Sequence, residues 1–66
     1  MRTRARIADL AEMLYRTQSR PGGYTDSEIE FILIVQFDLD EYQIADWLPP
    51  IIKKVKETTK NVRHQN

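Results

Sequence analysis

From Thr3 to Ser19, Ile7, Leu10, Ala11, Leu14 and Gln18 follow the three-four spacing of one helical face, with Tyr15 at its edge. Asp9, Glu12 and Arg16 fall on the other side. No Gly or Pro interrupts the stretch, and its Ala, Arg, Leu and Glu favour helix, so the pattern predicts an amphipathic helix over residues 3–19. Arg20-Pro21-Gly22-Gly23 ends it, because Pro disfavours helix in the residue before it and paired Gly frees the backbone.

A second element opens at Thr25-Asp26-Ser27-Glu28. This is a capping box: the Thr hydroxyl accepts a free backbone N–H and Glu28 accepts the cap's own N–H. The helix is predicted to run to about Phe37, with Ile29, Ile32, Leu33, Gln36 and Phe37 on one side and Phe31, Ile34 and Val35 on the other. A helix apolar on both sides is central in a bundle or turns its second face to a partner. Phe, Ile and Val also suit a buried strand. The chain has no convincing second strand to pair with it, and this favours helix.

Asp38-Leu39-Asp40-Glu41 is polar punctuation, and Asp40 with Gln43 repeats the capping-box spacing. A short helix follows through about Leu48, with Ile44, Ala45 and Leu48 inward. Pro49-Pro50 stops it, and Pro50 suits the first position of a last helix, where a missing N–H costs nothing. In that helix Ile51, Val55, Thr58 and Val62 form one face, with Ile52 and Thr59 beside them. Lys53, Lys56, Glu57, Lys60 and His64 point the other way, and residues 61–66 are expected to fray. The expected architecture is all-α: a single domain over 1–66, a small bundle of about four helices, with the N-terminal helix ahead of a three-helix unit at 25–62.

Size narrows the possibilities. A chain of sixty-six residues buries only about 60% of the surface its unfolded form exposes. Without Cys it has neither a disulfide staple nor a Cys-built zinc site, so packing or a partner must supply the stability. The formal net charge is zero, but its distribution is uneven. Residues 1–20 carry five Arg against two acids, a net +3; residues 50–66 carry five Lys or Arg against one acid, a net +4. Between them Asp26, Glu28, Glu30, Asp38, Asp40, Glu41 and Asp46 give −7 with no Lys or Arg. Surface fields are local, so this balance leaves room for an anionic partner.

Catalytic chemistry finds little support. A Ser–His–Asp arrangement would depend on His64, the only histidine, with Ser19 or Ser27 as nucleophile. Asp38, Asp40 and Glu41 lack the central Gly and terminal Glu of a calcium loop, and Gly22-Gly23 lacks the setting of a phosphate loop. The expectation is a non-enzyme with no metal, cofactor or small-molecule substrate. The longest nearly apolar run, Ile29–Phe37, falls well short of the ~20 residues of a membrane span. The opening MRTRARIADLAEMLYR has no continuous apolar core of a secretory signal, which predicts an intracellular protein.

Residues 24–62 resemble the Myb/SANT branch of the homeodomain-like, helix-turn-helix DNA-binding domains. The resemblance rests on Tyr24-Thr25-Asp26-Ser27-Glu28 ahead of an apolar helix, on Ile44-Ala45-Asp46-Trp47-Leu48-Pro49, and on Val55 in a basic last helix. It implies that the helix from Pro50 to Val62 lies in the DNA major groove. Lys53, Lys54, Lys56, Lys60 and Arg63 would then contact phosphates and Asn61 an adenine edge. The other interpretation of these lysines is a solvated face of an amphipathic helix. Arg2, Arg4 and Arg6 suit a basic arm in the minor groove, or a frayed helix start whose arginines solubilise.

Phe31, Ile34 and Val35 are either covered by the first helix or exposed as a dimer or partner surface. Trp47 is either packed at the edge of the core or an interface anchor. Two functions follow as expectations. The leading one is a small DNA-binding regulator or accessory factor, dimeric because one short recognition helix supplies little specific contact. The alternative is a protein-interaction module, an adaptor or inhibitor, using the acidic middle and an apolar patch.

Overall fold

The computed structural model describes the backbone of residues 3–64 and the side chains of residues 3–59. Four helices follow one another: α1 (Thr3–Arg16), α2 (Asp26–Phe37), α3 (Glu41–Asp46) and α4 (Leu48–His64), and the described residues contain no strand. The all-α expectation therefore holds.

Both capping boxes form as the spacing requires. The Glu28 backbone N–H donates to Thr25 Oγ1 at 3.2 Å, and the Thr25 N–H donates to Glu28 Oε1 at 2.8 Å. At α3 the Gln43 N–H donates to Asp40 Oδ1 at 2.8 Å and the Asp40 N–H donates to Gln43 Oε1 at 2.9 Å. The far end of α2 is closed by Asp38 in the left-handed region, φ 52°. Its N–H reaches the Val35 carbonyl and the Leu39 N–H reaches that of Ile34, the Schellman pattern that satisfies the last free carbonyls. Leu39 is buried directly after it. Thus α2 is held at both ends by its own sequence.

Three boundaries depart from expectation. α1 ends at Arg16, not Ser19. Thr17 and Gln18 donate N–H bonds to carbonyls three residues back, and the Thr17 hydroxyl takes the Leu14 carbonyl at 3.0 Å, so the last turn tightens into a loop. α4 begins at Leu48, before both prolines. Pro49 and Pro50 therefore sit in its first turn, where no intrahelical N–H is needed. Only Trp47 separates α3 from α4: it keeps right-handed helical angles, its N–H donates to the Gln43 carbonyl, and its own carbonyl accepts from Ile51. Ala45, expected inward, is exposed. The one-residue joint orients this six-residue helix so that Ile44 and Trp47 pack against the core while Ala45 faces solvent.

One core joins the chain, comprising Ile7, Ala11 and Tyr15 of α1, Ile29 and Leu33 of α2, Leu39, and Leu48 and Val55 of α4. α1 packs most extensively along α4 and also against α2, while α3 packs on α4. The buried stripe of α1 runs Ile7–Ala11–Tyr15, which brings Tyr15 from the predicted edge into the centre. Thr58, predicted on the apolar face of α4, is exposed and turns its hydroxyl back to the Lys54 carbonyl. The side chain of Val62 lies outside the described residues.

Candidate functional site

The α4 lysines were the first candidates. Lys53, Lys54 and Lys56 are exposed on α4, whereas the side chains of Lys60, Asn61 and Arg63 lie outside the described residues. Lys56 is committed within the fold: its Nζ meets Asp26 Oδ2 at 2.8 Å and sits 5.6 Å from the centre of the Tyr15 ring. Asp26 also accepts a hydrogen bond from Gln18 Nε2, so one carboxylate ties the α1–α2 turn to α4. Lys53 and Lys56 share with Glu30 the rim of an open groove of about 410 Å³ lined by Ile44, Leu48 and Ile52. Lys54 lines a second, of about 240 Å³, with Asp46. Each of these two grooves thus carries an acid as well as lysine, and among the described lysines Lys56 is ion-paired.

The clamp has a titration signature. Hydrogen bonds from Lys56 and Gln18 hold Asp26 below its ordinary carboxylate value, and the same bond to Asp26 raises Lys56. Burial raises the Tyr15 hydroxyl; Asp26 adds to the rise and Lys56 opposes it. Asp26 therefore adds stability above its unfolded pKa that is lost as pH falls through the lower folded one. Lys56 and Tyr15 have the opposite sign: their contribution is whole below the unfolded values and declines as pH rises through the higher folded ones.

The Tyr15 hydroxyl oxygen is buried with no hydrogen-bond partner among the described residues. An unpaired buried hydroxyl costs ~1–3 kcal/mol, so Tyr15→Phe is expected to stabilise the chain by about 1 kcal/mol. Urea unfolding at neutral pH measures that gain. The gap should widen under alkaline conditions, where only the parent loses the tyrosine contribution. A less stable Phe variant would mean that the hydroxyl is hydrogen-bonded in solution.

The arginine candidates divide. Arg2 lies outside the described residues. Arg4 and Arg6 are exposed residues of helix α1, so neither belongs to an extended arm. Arg4 places its guanidinium 4.8 Å from the centre of the Trp47 ring. This cation–π contact fixes the amino end of α1 to the α3–α4 joint. Trp47 itself is half-buried against the core.

The second face of α2 is open. α1 packs on the Ile29–Leu33 side, leaving Phe31 66% and Val35 61% exposed one turn apart. Ile34 differs: it is half-buried against the core. Phe31 and Ile32 join Tyr24, Ser27 and Glu28 around a shallow groove of about 330 Å³. The exposure of Tyr24, Met13 and Tyr42 was not anticipated, although Tyr42 lies two residues from the inward Ile44 and so falls on the opposite side of α3.

Among the described residues no cluster of His, Asp and Glu could hold a metal ion, and no helix is long and apolar enough to cross a membrane. No protein-family model, curated protein or solved structure matches this chain.

Proposed function

We propose that this chain is a non-enzymatic protein-interaction module, an adaptor or inhibitor that docks through the outward face of α2. The observation that carries this reading is the pair Phe31 and Val35, about two-thirds exposed on a helix capped at both ends. Phe31 and Val35 stand together on one helix face and not singly, and aromatic anchors concentrate binding energy at interfaces. The commitment of Lys56 to Asp26 favours this function over DNA binding.

A DNA-binding accessory role is the second reading. It is supported by Lys53 and Lys54, exposed and without an ion pair among the described residues. Both readings meet in one comparison. A photo-cross-linking residue in place of Phe31 is expected to trap protein from the native host's lysate, and Val35→Glu should abolish the adduct. Equal trapping from position 13 would overturn the assignment of the face. Duplex DNA at about 50 mM salt, where phosphate contacts are strong, is expected not to bind. Binding whose salt dependence weakens on Lys53→Ala with Lys54→Ala would replace the docking function with the DNA one.

A further inference from the structure

We infer that the groove on the outer face of α2 takes a basic, amphipathic helical segment of another protein, and not a second copy of this chain. The inference rests on the docking function proposed above and adds the chemistry of the partner. Its apolar half is Tyr24, Phe31 and Ile32, and exposed Val35 continues the same side of α2 one turn beyond Phe31. That footprint is small. A stable protein–protein interface uses about 20–30 residues a side. A helix laid in a groove needs only a few anchors spaced by one turn.

Charge selects the occupant. Glu28 lines the groove, and Asp38, at the left-handed end of α2, stands seven residues after Phe31 and three after Val35, on the same side of the helix. Both are exposed, and no Lys or Arg lines this groove, whereas Glu30 lines the other groove with Lys53 and Lys56. Asp26, the remaining acid of α2, is already paired with Lys56. A two-fold dimer through this face would set the same patch against itself and bring like charges together. A lysine-rich helix instead gains attraction at Glu28 and Asp38 while its apolar side covers Phe31 and Val35.

The test uses the full chain and two labelled helical peptides of about 18 residues, long enough to hold a helix. One is built of Leu and Lys; the other has the same Leu positions with Glu for Lys. Fluorescence anisotropy is expected to show the Leu/Lys peptide binding at least tenfold tighter than the Leu/Glu one. Its affinity should fall with added salt. Phe31→Ser should weaken it about tenfold, and Glu28→Gln with Asp38→Asn several-fold. Gln keeps the cap at α2 and Asn tolerates the left-handed position, so circular dichroism should be unchanged.

Equal binding of both peptides, dependent on Phe31, would overturn the basic-partner inference and leave the docking function standing. Binding of the Leu/Lys peptide that ignores Phe31→Ser would overturn it too, placing the attraction elsewhere on the surface. Failure of both peptides with Phe31-dependent self-association in light scattering would identify a second copy as the occupant. Failure of both with a monomeric chain would remove the inference, and lysate cross-linking through position 31 would then decide the docking function separately.

Discussion

Leu33→Ala is expected to have the largest destabilising effect and to lower the unfolding midpoint sharply. Leu33 has no exposed surface and sits where α2 meets the core shared with α1 and α4. Removing a buried leucine side chain costs about 2–5 kcal/mol, the transfer term plus the cavity left behind. A domain of this size has in total about 3–10 kcal/mol of stability, taking 0.05–0.15 kcal/mol per residue. A loss of about 5 kcal/mol would exceed the bottom of that range and unfold the chain. Urea titration followed by circular dichroism gives the number, and Phe31→Ala supplies the contrast two positions away on the same helix. The exposed site should change stability by less than about 0.5 kcal/mol. Similar effects at both positions would mean that α2 buries a different face from the one described.

Gly23→Ala is expected to have the second-largest effect, although Gly23 lies in a loop. A Cβ built on it would stand 2.3 Å from the Thr17 carbonyl oxygen and 2.5 Å from that of Gln18. Both are backbone atoms, so neither retreats by turning a side chain. The Gly23 N–H also closes a 2.8 Å turn onto Arg20. Relief requires the α1–α2 connection to open, which would pull Gln18 from Asp26 and loosen the clamp to Lys56. Overpacking of this kind costs about 1–3 kcal/mol. The neighbour is a useful control: Gly22 has φ 85° but open space around its Cβ position, so Ala there meets only backbone strain. A Gly23→Ala chain with the parent's unfolding midpoint would show that the loop finds another path.

What could be read before folding was local. Both capping boxes lie within four consecutive residues, so side chain and backbone settle them without help from the rest of the chain. The helical periods of α1 and α2 were legible for the same reason, as was the existence of two apolar faces on α2. Which face α2 buries was not legible, because it depends on where α1 docks. The Lys56–Asp26 pair joins residues thirty positions apart and leaves no trace in spacing. Arg4 over Trp47 is equally long-range, and it changes the place of an arginine that the N-terminal pattern could also assign to a free arm. The α3–α4 joint was misplaced because two prolines signal a stop, yet a first helical turn accommodates both. That α1 supplies Ile7, Ala11 and Tyr15 to the core of the described residues was legible only in part, since Tyr15 falls at the edge of the apolar face that the spacing marks.

The position of α1 also constrains synthesis. α1 is synthesised well before its principal companion, α4. A nascent chain that has emitted only α1 through α3 lacks Leu48 and Val55, and so cannot shield Ile7, Ala11 and Tyr15 in the native way. Folding therefore waits for α4 to clear the exit tunnel. In that interval the stretch from α1 to α3 depends on its many charges to stay out of aggregates.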